Sequence, residues 1–332
     1  HPLYILYSSG TTGVPKCITH GAGNALIEHN KEFSLHCNIS NSDKIFYYTT
    51  TGWMMWNWLI GGLSRGATLY LYDGSPTYPC KDTLIKFCEK EKINLFGVSA
   101  KYIDYLKKEN FNFNNLDLSN LKMIASTGSP LAKESFEFVY KNIKNDVHLN
   151  SISGGTDVVG CLVLGNIFSN VHAGEIQGES LGIDVDIFNE KGESVGANHK
   201  GELVIKNPFP TVPIKFWNDM NNKKIKKAYF SKYKNVWYHG DFIQKTQNGG
   251  FIMLGRSDTT LNPGGVRMGT AEIYRQVENI EFVRESLVVG QNWKDDVRII
   301  LFVVMETKKK LGVEEINFIK SKIKDNCSPK HV

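Results

Sequence analysis

Tyr7-Ser8-Ser9-Gly10-Thr11-Thr12-Gly13-Val14-Pro15-Lys16 decides how the rest of the chain is read. Four Ser and Thr hydroxyls, two glycines and a lysine fall within ten positions. Glycine lets backbone N–H groups come close to an anion, hydroxyls add donors, and Lys16 adds a point charge. A triphosphate needs that combination. The stretch is not a Walker loop, which requires four residues between its glycines and a Gly-Lys-Ser/Thr ending. Here only Thr11 and Thr12 separate Gly10 from Gly13, and Cys17 follows Lys16. A hydroxyl-rich turn is the plain alternative for any Ser/Thr/Gly cluster; the order of the ten residues and the place of Lys16 weigh against it.

Working outward, short apolar runs alternate with helical patterns from Ile45 to Ser153. Strands are predicted at 45–48, 68–72, 94–97, 122–126 and 147–151. Helices are predicted at 53–63, 80–92, from 100 (with Ser99 as N-cap) and at 131–145. Alternation of this kind implies βαβ units, a mainly parallel sheet and binding loops at the carboxyl ends of its strands. Beyond Gly178 the texture changes. Short strands at 183–188, 201–205, 236–238, 242–245 and 251–254 read as hairpins of a small β-subdomain. From Asp258 a third pattern begins, with a helix at 270–278, strands at 282–289 and 297–305, and a helix at 313–324. The fold class is therefore α/β: a mainly parallel sheet with helices, a small β-subdomain, and a partial C-terminal α+β domain. The large domain spans 1–257, its β-subdomain beginning near 178, and the C-terminal domain spans 258–332.

Further motifs follow the opening loop in order. They are Thr127-Gly128-Ser129-Pro130, Ser153-Gly154-Gly155-Thr156-Asp157, Tyr238-His239-Gly240-Asp241, and Gly255-Arg256-Ser257-Asp258 running on through Asn262-Pro263-Gly264-Gly265-Val266-Arg267 to Ala271-Glu272-Ile273-Tyr274. Each alone is weak. Together, in this order, they resemble the AMP-forming (adenylate-forming) acyl-CoA synthetase superfamily. The resemblance implies that Ser8, Ser9, Gly10, Thr11, Thr12, Gly13 and Lys16 hold the β- and γ-phosphates of ATP. It sets Gly128, Ser129 and Pro130 against adenine, with Ser151 and Gly155 also in the nucleotide site. Thr156 would meet the α-phosphate, and Asp157 would take the place of the usual glutamate that binds Mg²⁺. Asp241 would accept from both ribose hydroxyls, a task suited to a carboxylate. Arg256 would touch the ribose and Arg267 the phosphates; Gly264 and Gly265 would flank the pantetheine of coenzyme A, and Asp258 would be the hinge.

Thr49-Thr50-Thr51-Gly52-Trp53-Met54-Met55-Trp56-Asn57-Trp58, Leu71-Tyr72-Asp73-Gly74-Ser75-Pro76, Gly174-Glu175-Ile176-Gln177 and Phe216-Trp217-Asn218-Asp219 resemble the acetoacetate-activating branch of that superfamily. This implies an acyl pocket formed by Trp53, Met54, Met55, Thr127 and Gly154. Acetate-activating members carry tryptophan where this chain has Gly154, and removing an indole leaves room for a longer acid. Such a wall discriminates by only about 1–3 kcal/mol per methylene. Gly154 thus argues against acetate without choosing acetoacetate among short acids. Propionate or butyrate activation, a non-catalytic nucleotide-binding module and a carrier-loading adenylation domain stay open as alternatives.

The 332 residues suffice for more than one domain, and 41% hydrophobic with 22% charged residues is ordinary globular composition. The net charge of +5 is mild. The lysine clusters at 223–227 and 308–310 read as solvated loops with some attraction for anionic ATP and coenzyme A, not as a nucleic-acid site. Six cysteines lack any Cys-x-x-Cys pair, and the nine histidines form no metal-ligand spacing with them. That fits a reducing, cytosolic setting. The longest apolar stretch, 53–63, is too short to span a bilayer. The implied partners are small molecules: a short 3-oxo acid, ATP and coenzyme A. The chain starts at His1 close to the loop, and it ends at Val332, where Lys330 does not sit in the family's C-terminal Gly-Lys context. It is accordingly read as an internal piece, expected to adenylate poorly by itself.

Overall fold

A computed structural model describes residues 1–10, 13–261, 263, 268–293, 296–306 and 310–332. At its centre lies a five-stranded, wholly parallel sheet in the order Thr68–Tyr70, Lys44–Tyr47, Leu95–Ser99, Met123–Thr127, His148–Ser151. These strands are near-continuous apolar runs because both faces are covered. On one face Phe46, Phe96 and Ile124 pack with the helices Thr83–Glu91, Ala100–Lys108 and Lys133–Asn142. On the other, Ile45, Tyr47, Leu95 and Ala125 meet the helix Met54–Gly61 and Phe33. Ser99 caps its helix as expected, its Oγ accepting from Tyr102 N at 3.3 Å.

Antiparallel sheets surround this one. Four strands, Val185–Phe188, Lys200–Ile205, Trp237–Lys245 and Phe251–Arg256, pair in that order. Three more, Gly178–Glu179, Gly160–Leu164 and Ser153–Gly155, form a small sheet beside the parallel one. The opening stretch lies in a hairpin, Pro2–Gly10 against Gly13–Gly21, with Lys215–Phe216 as third strand. Residues 258–332 supply the helices Thr270–Val277 and Val313–Asn326 and the hairpin Val283–Trp293 with Asp296–Met305, sharing a core of Ile273, Val277, Val283, Ile319 and Ile323.

Three readings change. The strands expected at 236–238 and 242–245 are one strand, because His239-Gly240-Asp241 is a bulge and not a turn: Val204 pairs with Tyr238 while Glu202 pairs with Phe242, and Gly240 has φ +86°. A side chain there would be strained. Trp53 does not belong to the helix but precedes it in extended conformation (φ −99°, ψ 143°). The lysines at 223–227 sit on the helix Lys223–Phe230, not a loop; Ile225 and Tyr229, four apart, bury its inner face and the lysines stay exposed. Lys308 and Lys309 lie outside the described residues. Among the described residues no helix is long and apolar enough to cross a membrane.

Candidate active site

The carboxyl ends of the parallel strands face a cleft with two adjoining cavities. The larger, about 240 Å³, is lined by Thr127–Pro130, Ser151–Gly154, Ile176, Asp241, Met253, Gly255 and Arg256. The other, about 160 Å³, is lined by Trp53, Met54, Met55, Thr127, Gly128, Ile152, Gly154, Gly155, Thr156, Gly160 and Cys161. Thr127, Gly128, Ile152 and Gly154 belong to both. Residues up to 203 positions apart in sequence, Trp53 and Arg256, therefore line one cleft, and the strands Met123–Thr127 and His148–Ser151 end side by side there, Ser126 opposite Ser151.

Asp241 stands at the bulge, nearly buried, and accepts from Arg256 Nη1 at 2.9 Å; the two residues face each other across adjacent strands. His239 lies 3.6 Å from Asp241 through Nε2. Its Nδ1 accepts from the Trp237 indole N–H at 3.3 Å, which puts the ring proton on Nε2. Burial pushes the His239 imidazole below its usual range despite the carboxylates of Asp241 and Asp157. Arg256 Nε is 3.9 Å from Asp258, in the short turn Ser257–Thr259.

Lys16 and Asp157 form an ion pair of 2.7 Å. Tyr229 donates to the same Asp157 oxygen, its ring stacked on Trp237 at 3.7 Å, with the Lys16 ammonium 5.0 Å from the ring centroid. Burial works against charge on Asp157, but Lys16, His239 and the hydrogen bonds from Lys16 and Tyr229 hold its carboxyl below the usual range. Next to it, the Thr156 carbonyl accepts from His20 Nε2 at 2.8 Å. Burial pushes His20 down to about 4, so it is neutral at pH 7. Among the described residues no cluster of three or more metal ligands occurs. One carboxylate fits Mg²⁺ carried by a nucleotide, which takes its other ligands from phosphate and water. Lys16 would then have to release Asp157.

Gly154 is where two strands touch. A Cβ there would lie 2.0 Å from the Gly160 carbonyl oxygen and 2.6 Å from Cys161 Cα. The absent side chain is thus demanded by backbone approach.

All five expected acyl-pocket residues line the smaller cavity, and Gly128, Ser129, Pro130, Ser151, Asp241 and Arg256 line the larger. Gly155 and Thr156 border the smaller one. Ser8 pairs with Lys16 across the hairpin, and Ser9, Gly10 and Gly13 lie in its strands. Thr11, Thr12, Gly264, Gly265 and Arg267 lie outside the described residues. The sequence reading missed Tyr229, His20, Gly160, Cys161 and Met253. Tyr229 carries no motif; His239 and Ile176 stood inside quoted motifs without an assigned part.

Comparison with known proteins places this fold in a family. Residues 1–212 match the family described as AMP-binding enzyme, and the chain belongs to that family. Over its full length it is 53% identical to an acetoacetyl-coenzyme A synthetase of Rhizobium meliloti, covering 51% of that protein, and 48% identical to the acetoacetyl-CoA synthetase of Gallus gallus, covering 50%. The chain spans about half the length of these relatives. The solved acetoacetyl-CoA synthetase of Streptomyces lividans superposes with a TM-score of 0.92 at 41% identity, over all of this chain and 51% of that one. An anthranilate CoA ligase in complex with anthranoyl-AMP shares the fold, with a TM-score of 0.82 at 17% identity.

Proposed function

We propose that this chain forms the adenylate- and acyl-binding centre of an acetoacetate–CoA ligase, which joins acetoacetate to coenzyme A through acetoacetyl-AMP at the expense of ATP. The observation that carries the reading is the pair of cavities with a shared wall. One bears Asp241 and Arg256 for a ribose, the other Trp53, Met54 and Met55 for a short acyl chain, and Thr127, Gly128, Ile152 and Gly154 lie between them. An acyl-adenylate has that outline. The names of the relatives support acetoacetate as the acid.

In the first half-reaction the acid carboxylate attacks the α-phosphorus and pyrophosphate leaves; in the second the thiol of coenzyme A displaces AMP. The protein's part is positioning and charge neutralisation. Thr156, at the border of the acyl cavity, would donate to the α-phosphate, and Lys16, swung off Asp157, would meet the outer phosphates with the hydroxyls of the opening loop. Asp157 would hold Mg²⁺, which neutralises charge on the leaving pyrophosphate. Tyr229 keeps that carboxylate oriented when Lys16 leaves. Arg267 at the phosphates, Gly264 and Gly265 beside pantetheine, and Asp258 as hinge between 1–257 and 258–332 complete the reading on resemblance.

Acid-dependent ATP–pyrophosphate exchange tests it. Slow exchange is expected, because the chain is read as adenylating poorly by itself, with acetoacetate supporting it better than acetate. Absence of both exchange and AMP binding would refute the reading; AMP binding without exchange for any short acid would indicate a nucleotide-binding module instead.

A further inference from the structure

Behind the acyl cavity lies a carboxylate that the mechanism does not use. Glu32 begins the π-helical turn Glu32–His36, directly after the helix Ala22–Lys31, and is wholly buried. Its Oε2 accepts from the Trp58 indole N–H at 2.5 Å, and its Oε1 accepts from the Cys161 backbone N–H at 2.6 Å. These donors come from opposite walls of the cavity. Trp58 is one turn along the helix whose first residues, Met54 and Met55, line the pocket; Cys161 and Gly160 begin the strand that lines it from the other side. A second buried carboxyl, Glu28, closes the arrangement. It faces Glu32 and accepts from Lys31 at 2.7 Å, its other oxygen receives no hydrogen bond, and a Cβ on Gly160 would lie within 3.0 Å of both carboxyl groups.

A buried carboxylate is costly unless it is hydrogen-bonded, and each oxygen here accepts one short charge-assisted hydrogen bond. An apolar residue of similar size would pack without desolvation cost but would leave the indole and amide N–H groups unpaired. The carboxylate's distinct contribution is to tie two walls by one rigid group, at the spacing set by its two oxygens.

We propose that Glu32 is a specificity-determining positioning residue, a clamp that fixes the width of the acyl cavity by holding the Met54–Gly61 helix and the Gly160–Leu164 strand to one carboxylate. The inference rests on the reading of the smaller cavity as the acyl site. Glu32→Gln keeps the volume but presents an amide N–H₂ to one of two N–H donors, so one wall is let go.

Calorimetric titration separates the possibilities, with AMP and non-hydrolysable acetoacetyl- and butyryl-adenylate analogues as probes. The wild type is expected to bind the acyl analogues more tightly than AMP. In E32Q, AMP affinity stays as in the wild type, while the gain from the acetoacetyl group falls about tenfold, and the preference for acetoacetyl over butyryl shrinks. Trp58→Phe removes one of the two donors and is expected to shift the same ratio in the same direction; it decides the matter if E32Q does not fold. Should the wild type bind AMP and the analogues with equal affinity, the acyl-site reading itself fails. If the wild type shows the acyl gain and both variants retain it in full, or lose AMP affinity equally, the clamp is overturned.

Discussion

Gly154→Ala is the smallest change that probes the centre of the site. The added methyl would stand 2.0 Å from the Gly160 carbonyl oxygen, about 1.4 Å short of ordinary contact, and 2.6 Å from Cys161 Cα. Both obstacles are backbone, so no side chain can rotate away. The facing strand is held from behind, since Cys161 N donates to Glu32 at 2.6 Å. Overpacking of this kind costs about 1–3 kcal/mol. A loss of conformational freedom in the unfolded chain returns roughly 0.4–1 kcal/mol of that. The expected net loss is about 1–2 kcal/mol, measured by urea denaturation. Gly196→Ala, where a Cβ meets nothing within 4 Å, serves as the control and should stay within about 0.5 kcal/mol of the wild type. Because the strands must part at the wall common to both cavities, binding of an acyl-adenylate analogue should fall more than binding of AMP. Unchanged stability together with an unchanged analogue-to-AMP ratio would refute the argument from strand approach.

Lys16→Ala strips Asp157 of its cation and should cost about 1–3 kcal/mol at pH 7. The Asp157 carboxyl is held below its ordinary value in the fold, so its share of stability is present above an unfolded pKa of about 3.9 and is lost as pH falls through the native one. The gap between variant and wild type in denaturation should therefore narrow below about pH 4. Burial, with Glu32 beside it, pushes Glu28 up to about 8 from 4.5, so the folded chain holds a proton that the unfolded chain has released, and stability falls as pH rises across that interval. Glu28→Gln should flatten that fall, seen by comparing urea midpoints at pH 5 and pH 8. His20, buried and held down to about 4, acts in the opposite sense, losing stability as pH drops from about 6.5 toward 4. Asp241→Asn should weaken AMP binding by roughly tenfold or more in calorimetry, since a ribose then loses a charged acceptor and Arg256 its partner.

The parallel sheet was legible because its strands are apolar on both faces and alternate with helical patterns; Ile45, Leu95 and Met123 stand side by side in it, a register that the alternation did not specify. The candidate site was legible where it lay at or just beyond the ends of those strands, at Thr127–Pro130 and Ser151–Thr156. The bulge at Gly240 escaped because His-Gly-Asp has the composition of a turn, and only pairing with Glu202 and Val204 tells that the strand goes on. The hairpin around the opening loop escaped because the loop was read for its chemistry while Leu3, Ile5 and the flanking residues were not read for alternation. Glu32 and Tyr229 could not be found by pattern. Each is a single polar group on a helical face, and its meaning lies in Trp58, Cys161, Lys16 and Asp157, partners between 26 and 213 positions away.

A crystal structure with a non-hydrolysable acetoacetyl-adenylate analogue tests the central claim most directly. The account predicts both ribose hydroxyls on Asp241, the adenine beside Gly128–Pro130, and the acyl group between Met54, Met55 and Gly154. An adenylate bound elsewhere, or one whose acyl group points to solvent with the Trp53–Met55 cavity empty, would contradict it.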